Sequence, residues 1–199
     1  MENFPERPGR GKPRDENLRE TILKAAGDIL LEKGYKRFTI EGVAARAKAS
    51  KVTIYKWWPS KGALALDGYV HGITDSIAFP QSGSARQDVE AQLVALILKL
   101  TTTPNGRAIM ELIGAAQEDP DLKRELSIRY IQPRREIAGQ SFARLFGWDP
   151  VESRETLEAI TDQVYGAIYN RLLFGLPGLD AAFAVQLVDF WVAKAAELL

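Results

Sequence analysis

Cysteine is absent from the 199 residues, which excludes a disulfide framework, a thiolate metal site and a cysteine nucleophile. Histidine occurs once, at His71. A metal site built on it would need carboxylates gathered around it, and nothing in the sequence is spaced for that. No apolar run approaches the roughly 20 residues of a spanning helix. The opening stretch MENFPERPGRGKPRDENLRE lacks the apolar segment of a signal peptide. The expectation is a cytoplasmic chain with no membrane partner. Glycine-rich phosphate loops and dinucleotide fingerprints are missing too, and EDPDLKREL reads as an Asp-Pro helix start. Neither catalysis nor a cofactor is expected.

A net charge of one sign is also lacking, since 26 Lys and Arg meet 26 Asp and Glu. The balance hides an asymmetry. Residues 1–66 carry 14 basic against 8 acidic side chains, leaving 12 against 18 for residues 67–199. A basic front and an acidic back suggest that the front faces a polyanion. With 46% apolar residues the chain can bury a substantial core.

The helical period dominates and no stretch alternates as a strand does, so the fold class is all-α. A first helix is expected over 15–33, with Leu18, Ile22, Ala25, Ala26, Ile29 and Leu30 on one stripe and Gly34 just past its end. Thr39 offers an N-cap for a short second helix whose inner face is Ile40, Val43, Ala44 and Ala47. Its capping box is incomplete, because Gly42 stands where Glu or Gln would reach back. Ser50 can cap a third helix that ends before Pro59, and Ser60 a fourth. Longer helices follow over 85–101, 105–118, 120–146, 151–174 and 180–198, with Pro133 expected to kink the third of these. The division is a basic flexible arm (1–14), a helix-turn-helix domain (15–66) and a larger helical domain (67–199).

Two short helices joined by a brief turn, the second rich in lysine, match the layout in which the second helix enters a major groove. At about 100° per residue, Ile54 and Trp58 share the inward face. Lys51, Val52, Thr53, Tyr55, Lys56 and Trp57 occupy the others. Lys51 can reach a guanine edge or a phosphate, Val52 a thymine methyl, and the Thr53 and Tyr55 hydroxyls phosphate oxygens. Trp57 can donate its indole N–H to the backbone. Lys61, opening the fourth helix, is placed as a phosphate clamp.

The run TIEGVAARAKASKVTIYKWWPSKGAL, Thr39 to Leu64, resembles the DNA-binding signature of the TetR/AcrR family of bacterial transcriptional regulators. Thr39, Ala44, Ser50, Thr53, Ile54, Tyr55, Trp58 and Lys61 fall on the signature positions without a gap. The resemblance implies double-stranded DNA as partner. One departure concerns the turn, where Lys48 replaces the family's usual glycine; a non-glycine residue at positive φ costs about 1 kcal/mol or more.

Ahead of the first helix, ERPGRGKPR is rich in Pro, Gly and positive charge. Arg10-Gly11-Lys12-Pro13 is similar to the core of an AT-hook, so Arg10 and Lys12 are candidates for a narrow minor groove.

In 180–198 the polar Gln186, Asp189, Lys194 and Glu197 fall within roughly 140° of arc, and beyond the leading Asp180 all else is apolar. Such a helix needs burial on two sides. The expectation is a dimer through the last two helices, as the TetR resemblance implies, with Leu157, Ile160, Val164, Ile168, Phe183, Leu187 and Trp191 at the interface. A two-fold dimer suits a palindromic operator. The resemblance also implies a pocket for a small apolar effector, with Met110, Ile113, Phe142, Phe146, Tyr165 and Tyr169 as candidate lining. The reading is a homodimeric regulator, a repressor released by its effector. The alternative is a small-molecule-binding or interaction module without specific operator binding.

Overall fold

The computed structural model describes residues 12–73 and 77–197, with side chains from Glu16 onward. Ten α-helices and no strand are found among them. Helix α1 (Lys12–Lys33) starts three residues ahead of the expected Asp15. It buries Ile22, Ala25, Ala26, Ile29 and Leu30, and Gly34 at φ 76° turns the chain into a short 3-10 turn, Tyr35–Arg37.

The helix-turn-helix follows from its caps. In α2 (Ile40–Ala47) the Thr39 hydroxyl accepts from the Gly42 N–H at 3.1 Å, and Ile40, Val43, Ala44 and Ala47 are buried. Half of the capping box therefore operates without its acidic member. Lys48 ends α2 in the left-handed region, φ 51° and ψ 39°. Among the described residues it is the one non-glycine at positive φ. The turn keeps its backbone shape and carries the strain of a side chain there. Helix α3 (Lys51–Trp57) begins at Ser50, whose hydroxyl accepts from the Thr53 N–H at 3.0 Å. Helix α4 (Lys61–Ile73) begins at Ser60, which accepts from the Ala63 N–H at 3.1 Å. Helices α1 and α4 cross in close contact at Gly27 and Gly68. A Cβ on Gly68 would lie 2.7 Å from the Gly27 nitrogen, so no larger residue fits the crossing.

The remainder comprises α5 (Ala85–Thr102), α6 (Asn105–Ala116), α7 (Pro120–Leu126), α8 (Gln132–Phe146), α9 (Arg154–Phe174) and α10 (Ala181–Ala195). The helix expected over 120–146 is interrupted, as Pro133 led one to expect, but by a particular device. Ser127–Ile131 forms a π-helical segment, and Pro133 sits in the first turn of α8. A proline ring clashes with the carbonyl four residues back, here that of Arg129. Widening the helix just ahead of it relieves the clash.

The two regions share one continuous core. Helix α4 packs on α6 and α7. The Arg107 guanidinium donates to the Leu31 carbonyl at 2.6 Å, and the Tyr35 N–H donates to Glu111. Helix α10 lies against α5 and α8. No helix among the described residues is long and apolar enough to cross a membrane.

Candidate functional site

Seven residues of α3 present two unlike faces. Ile54 is buried, whereas Val52 is 71% and Tyr55 52% exposed. Lys48, Ser50, Lys51 and Lys56 are exposed beside them, as is Thr39 at the start of α2. A valine and a tyrosine held in water among lysines on a short helix have no use in the subunit core. Lys51 pairs with Glu41 at 3.2 Å. Glu41 is held below the usual carboxylate range first by its own backbone N–H and then by Lys51. The pair lies on the surface, so it restrains Lys51 weakly.

The remaining predicted contacts are less free. The Thr53 hydroxyl lies 2.9 Å from that of Ser50, so both take part in the cap. Trp57 is half-buried, with its ring edge-on to Trp58 at 5.7 Å. The Lys61 ammonium sits 4.3 Å from the centre of the Tyr35 ring. Partial burial lowers the Lys61 pKa, and burial, followed by Asp119, raises that of Tyr35. Arg10 and the side chain of Lys12 lie outside the described residues.

Behind α3, Trp58 is core, at 1% exposure. Its indole N–H donates to Asp67 Oδ2 on α4 at 2.7 Å. The other oxygen of Asp67 accepts from Arg129, in the π-helical segment. Arg19 of α1 lies 4.0 Å from the same carboxylate and over the Trp58 ring. One carboxylate thus ties the end of α3 to the segment between α7 and α8. His71 binds Glu20 at 2.6 Å, which links α4 to α1 only.

Arg129 also lines a cavity of about 1000 Å³ bounded by α5, the π segment, α8 and α9. Tyr165 and Tyr169 line it. Met110, Ile113, Phe142 and Phe146 do not. Phe142 is buried in the core and stacks with Phe146, while Met110 and Ile113 belong to α6, which packs among α4, α5 and α7. Its lining includes three buried polar residues that the sequence reading passed over. Gln92, Ser141 and Thr161 are buried polar side chains, and all three border the cavity. Gln92 accepts from the Tyr165 hydroxyl at 3.0 Å and donates to the Ile77 carbonyl at 3.3 Å. The Tyr130 and Tyr169 hydroxyls are 3.0 Å apart. Burial pushes the Tyr165 and Tyr169 phenols well above their ordinary range, so both are neutral hydrogen-bonding groups. A polar residue within an apolar helical stripe was the signal available in the sequence.

Four residues expected to face a second copy have another place in the subunit. Leu157, Ile160, Val164 and Ile168 are at most 3% exposed and fill the subunit's own core. Trp191 is buried as well, and Phe183 and Leu187 are half-buried. On α9, α10 and the connector between them, the large apolar side chains left in solvent are Leu173 and Phe174 at the end of α9, Leu176 in the connector, and Val185 and Phe190 on α10. The apolar stripe of α9 serves the subunit's own core, because the strongest stripe of a helix goes to the nearer core.

Comparison with known proteins follows the same two regions. Residues 22–67 match "Bacterial regulatory proteins, tetR family", and residues 79–190 match "Tetracyclin repressor-like, C-terminal domain". The HTH-type transcriptional regulator YdeS of Bacillus subtilis is 43% identical over 181 residues, 90% of each chain. The DNA-binding transcriptional repressor TetR of Mycobacteroides abscessus is 30% identical over 179 residues, 88% of this chain and 92% of that one. Among solved structures, the TetR family transcription regulator SCO0332 is 40% identical with a TM-score of 0.76, over 89% of this chain and 97% of that one. The capped lysine-bearing helix, the helical region behind it and these relatives agree: the chain belongs to the TetR family of DNA-binding transcriptional regulators.

Proposed function

We propose that the protein is a homodimeric repressor that holds a palindromic operator with two copies of α3 and lets go when a small molecule occupies the cavity. The observation that carries DNA docking through α3 is its outward face, where Lys51, Val52, Tyr55 and Lys56 stand exposed and supply donors and a methyl surface for a major groove. Thr39, Lys48, Ser50, Thr53, Trp57 and Lys61 surround that face as backbone contacts, with Lys12 at the start of α1 and Arg10 ahead of it in the sequence as further contacts. In this docking Lys51 exchanges Glu41 for DNA.

Pairing through α9 and α10 is supported by the exposed Leu173, Phe174, Leu176, Val185 and Phe190. A two-fold dimer would set the reading helices about 34–36 Å apart, one turn of DNA or a multiple of it. The repressor assignment rests on the name borne by the Mycobacteroides abscessus relative.

The route from cavity to DNA runs through Arg129, Asp67 and Trp58. A ligand that displaces the π segment draws on the Asp67 carboxylate and so on the end of α3. It releases the operator to the extent that it binds more tightly to the displaced arrangement. Mobility shifts on genomic fragments across a salt series test the reading. A specific regulator shows a steep salt slope and a wide margin over random DNA. Equal, weak binding to every fragment contradicts it.

A further inference from the structure

The chemistry of the cavity narrows what it can hold, and this step rests on the reading of the cavity as an effector site. Its lining includes four arginines, Arg129, Arg134, Arg135 and Arg144, against one carboxylate, Asp162. Asp162 is paired with Arg135. Arg129 is held by Asp67 and Glu125, and Arg134 lies 4.0 Å over the Tyr130 ring while donating to the Tyr130 carbonyl. Arg144 has only the Ser141 hydroxyl, at 3.4 Å, and no carboxylate pairs with it among the described residues. The buried acid whose charge it feels, Asp88, already accepts from the Ser82 N–H and hydroxyl at 2.9 and 2.7 Å.

The neutral groups lean the same way. The Ser141 and Thr161 hydroxyls donate to the backbone carbonyls of Ile137 and Leu157, and the Tyr165 hydroxyl donates to Gln92. Two hydroxyls joined by one hydrogen bond, Tyr130 and Tyr169, leave one O–H over. The buried indole N–H of Trp148, which also lines the cavity, has no partner among the described residues. Apart from the amides of Gln81 and Gln140, unanswered capacity is therefore largely N–H and O–H donors, in a cavity of positive charge whose other walls present mainly aromatic and aliphatic surface. Donors held beside largely apolar walls favour an acceptor, and Arg144, exposed and without a carboxylate partner among the described residues, favours a carboxylate.

We infer that the effector is an organic carboxylate with a bulky apolar or aromatic body, its charged end at Arg144 and its body among Tyr165, Tyr169 and Leu96. The experiment titrates the full-length protein with three probes that share one body: pyrenebutyric acid, pyrenebutanol and pyrenebutylamine. Pyrene emission reports binding. The acid is expected to bind at least about tenfold more tightly than the alcohol, with the amine weakest. Arg144→Gln should remove the gap between acid and alcohol, and Arg144→Lys should retain most of it. A melting temperature for each variant shows that it is folded. If alcohol or amine matches the acid, the carboxylate assignment is overturned while the effector site stands. If none of the three binds, the effector site itself is contradicted.

Discussion

Around Trp58 the polar group of the largest buried side chain meets a carboxylate at hydrogen-bond distance, and α1 meets α4 backbone to backbone at Gly27 and Gly68. Around Tyr165, by contrast, buried polar groups border about 1000 Å³ of space. The N-terminal region is a packed stand for a helix whose chemistry points outward. The C-terminal region keeps its chemistry inward. A DNA contact needs a rigid helix, and a ligand needs room, so one chain uses two opposite packing regimes on either side of Asp67.

The largest effect is expected from emptying the packed side. Trp58→Ala should cost about 3–5 kcal/mol of stability, measured by urea denaturation, and abolish DNA binding. A loss below about 1 kcal/mol would mean that the stand is not a tight core.

Next comes a matched pair of enlargements. Leu64, fully buried in the N-terminal core, and Leu96, on the cavity wall, should answer differently to phenylalanine. Leu64→Phe is expected to destabilise by about 1–3 kcal/mol, the usual cost of overpacking. Leu96→Phe should fall within about 1 kcal/mol of wild type, because its extra atoms enter open space. Equal melting temperatures for the two variants would erase the distinction between packed and hollow regions.

The junction itself can be weakened. Asp67→Asn keeps the shape but removes the charge that holds Arg129. The coupling between effector and operator should fall by about 0.5–2 kcal/mol, read as a smaller effector-induced change in operator affinity. Unchanged coupling would take Asp67 out of the route. The smallest effect is expected at the turn. Lys48→Gly should stabilise the protein by about 1 kcal/mol by removing the left-handed side chain, while weakening operator binding slightly through the lost cation.

The N-terminal region was legible in the sequence because its signals are local. Thr39, Ser50 and Ser60 announce their helices within three residues, and all three caps form. Ile54 and Trp58, four residues apart, turn inward as helical spacing requires. The exposure of Tyr55 and the strain at Lys48 were readable in the same way. The cavity was not, because a void is bounded by residues from four elements and has no period. Reasoning from apolar character alone selected Phe142 and Phe146, which pack on each other. It passed over Gln92 and Thr161, whose polarity within apolar stripes marks the space. The outer face of α9 and α10 was hidden for a related reason: periodicity identifies an apolar stripe but not which neighbour receives it. The π segment, too, lay beyond the sequence signal of Pro133, which announces a break without saying how the helix absorbs it.

Operator recognition by a two-fold dimer can be read from the DNA that the purified protein selects out of a random pool. The account predicts an enriched palindrome whose half-sites are centred one helical turn, or a whole multiple of it, apart. Enrichment of an asymmetric single site, or of no sequence at all, would contradict it.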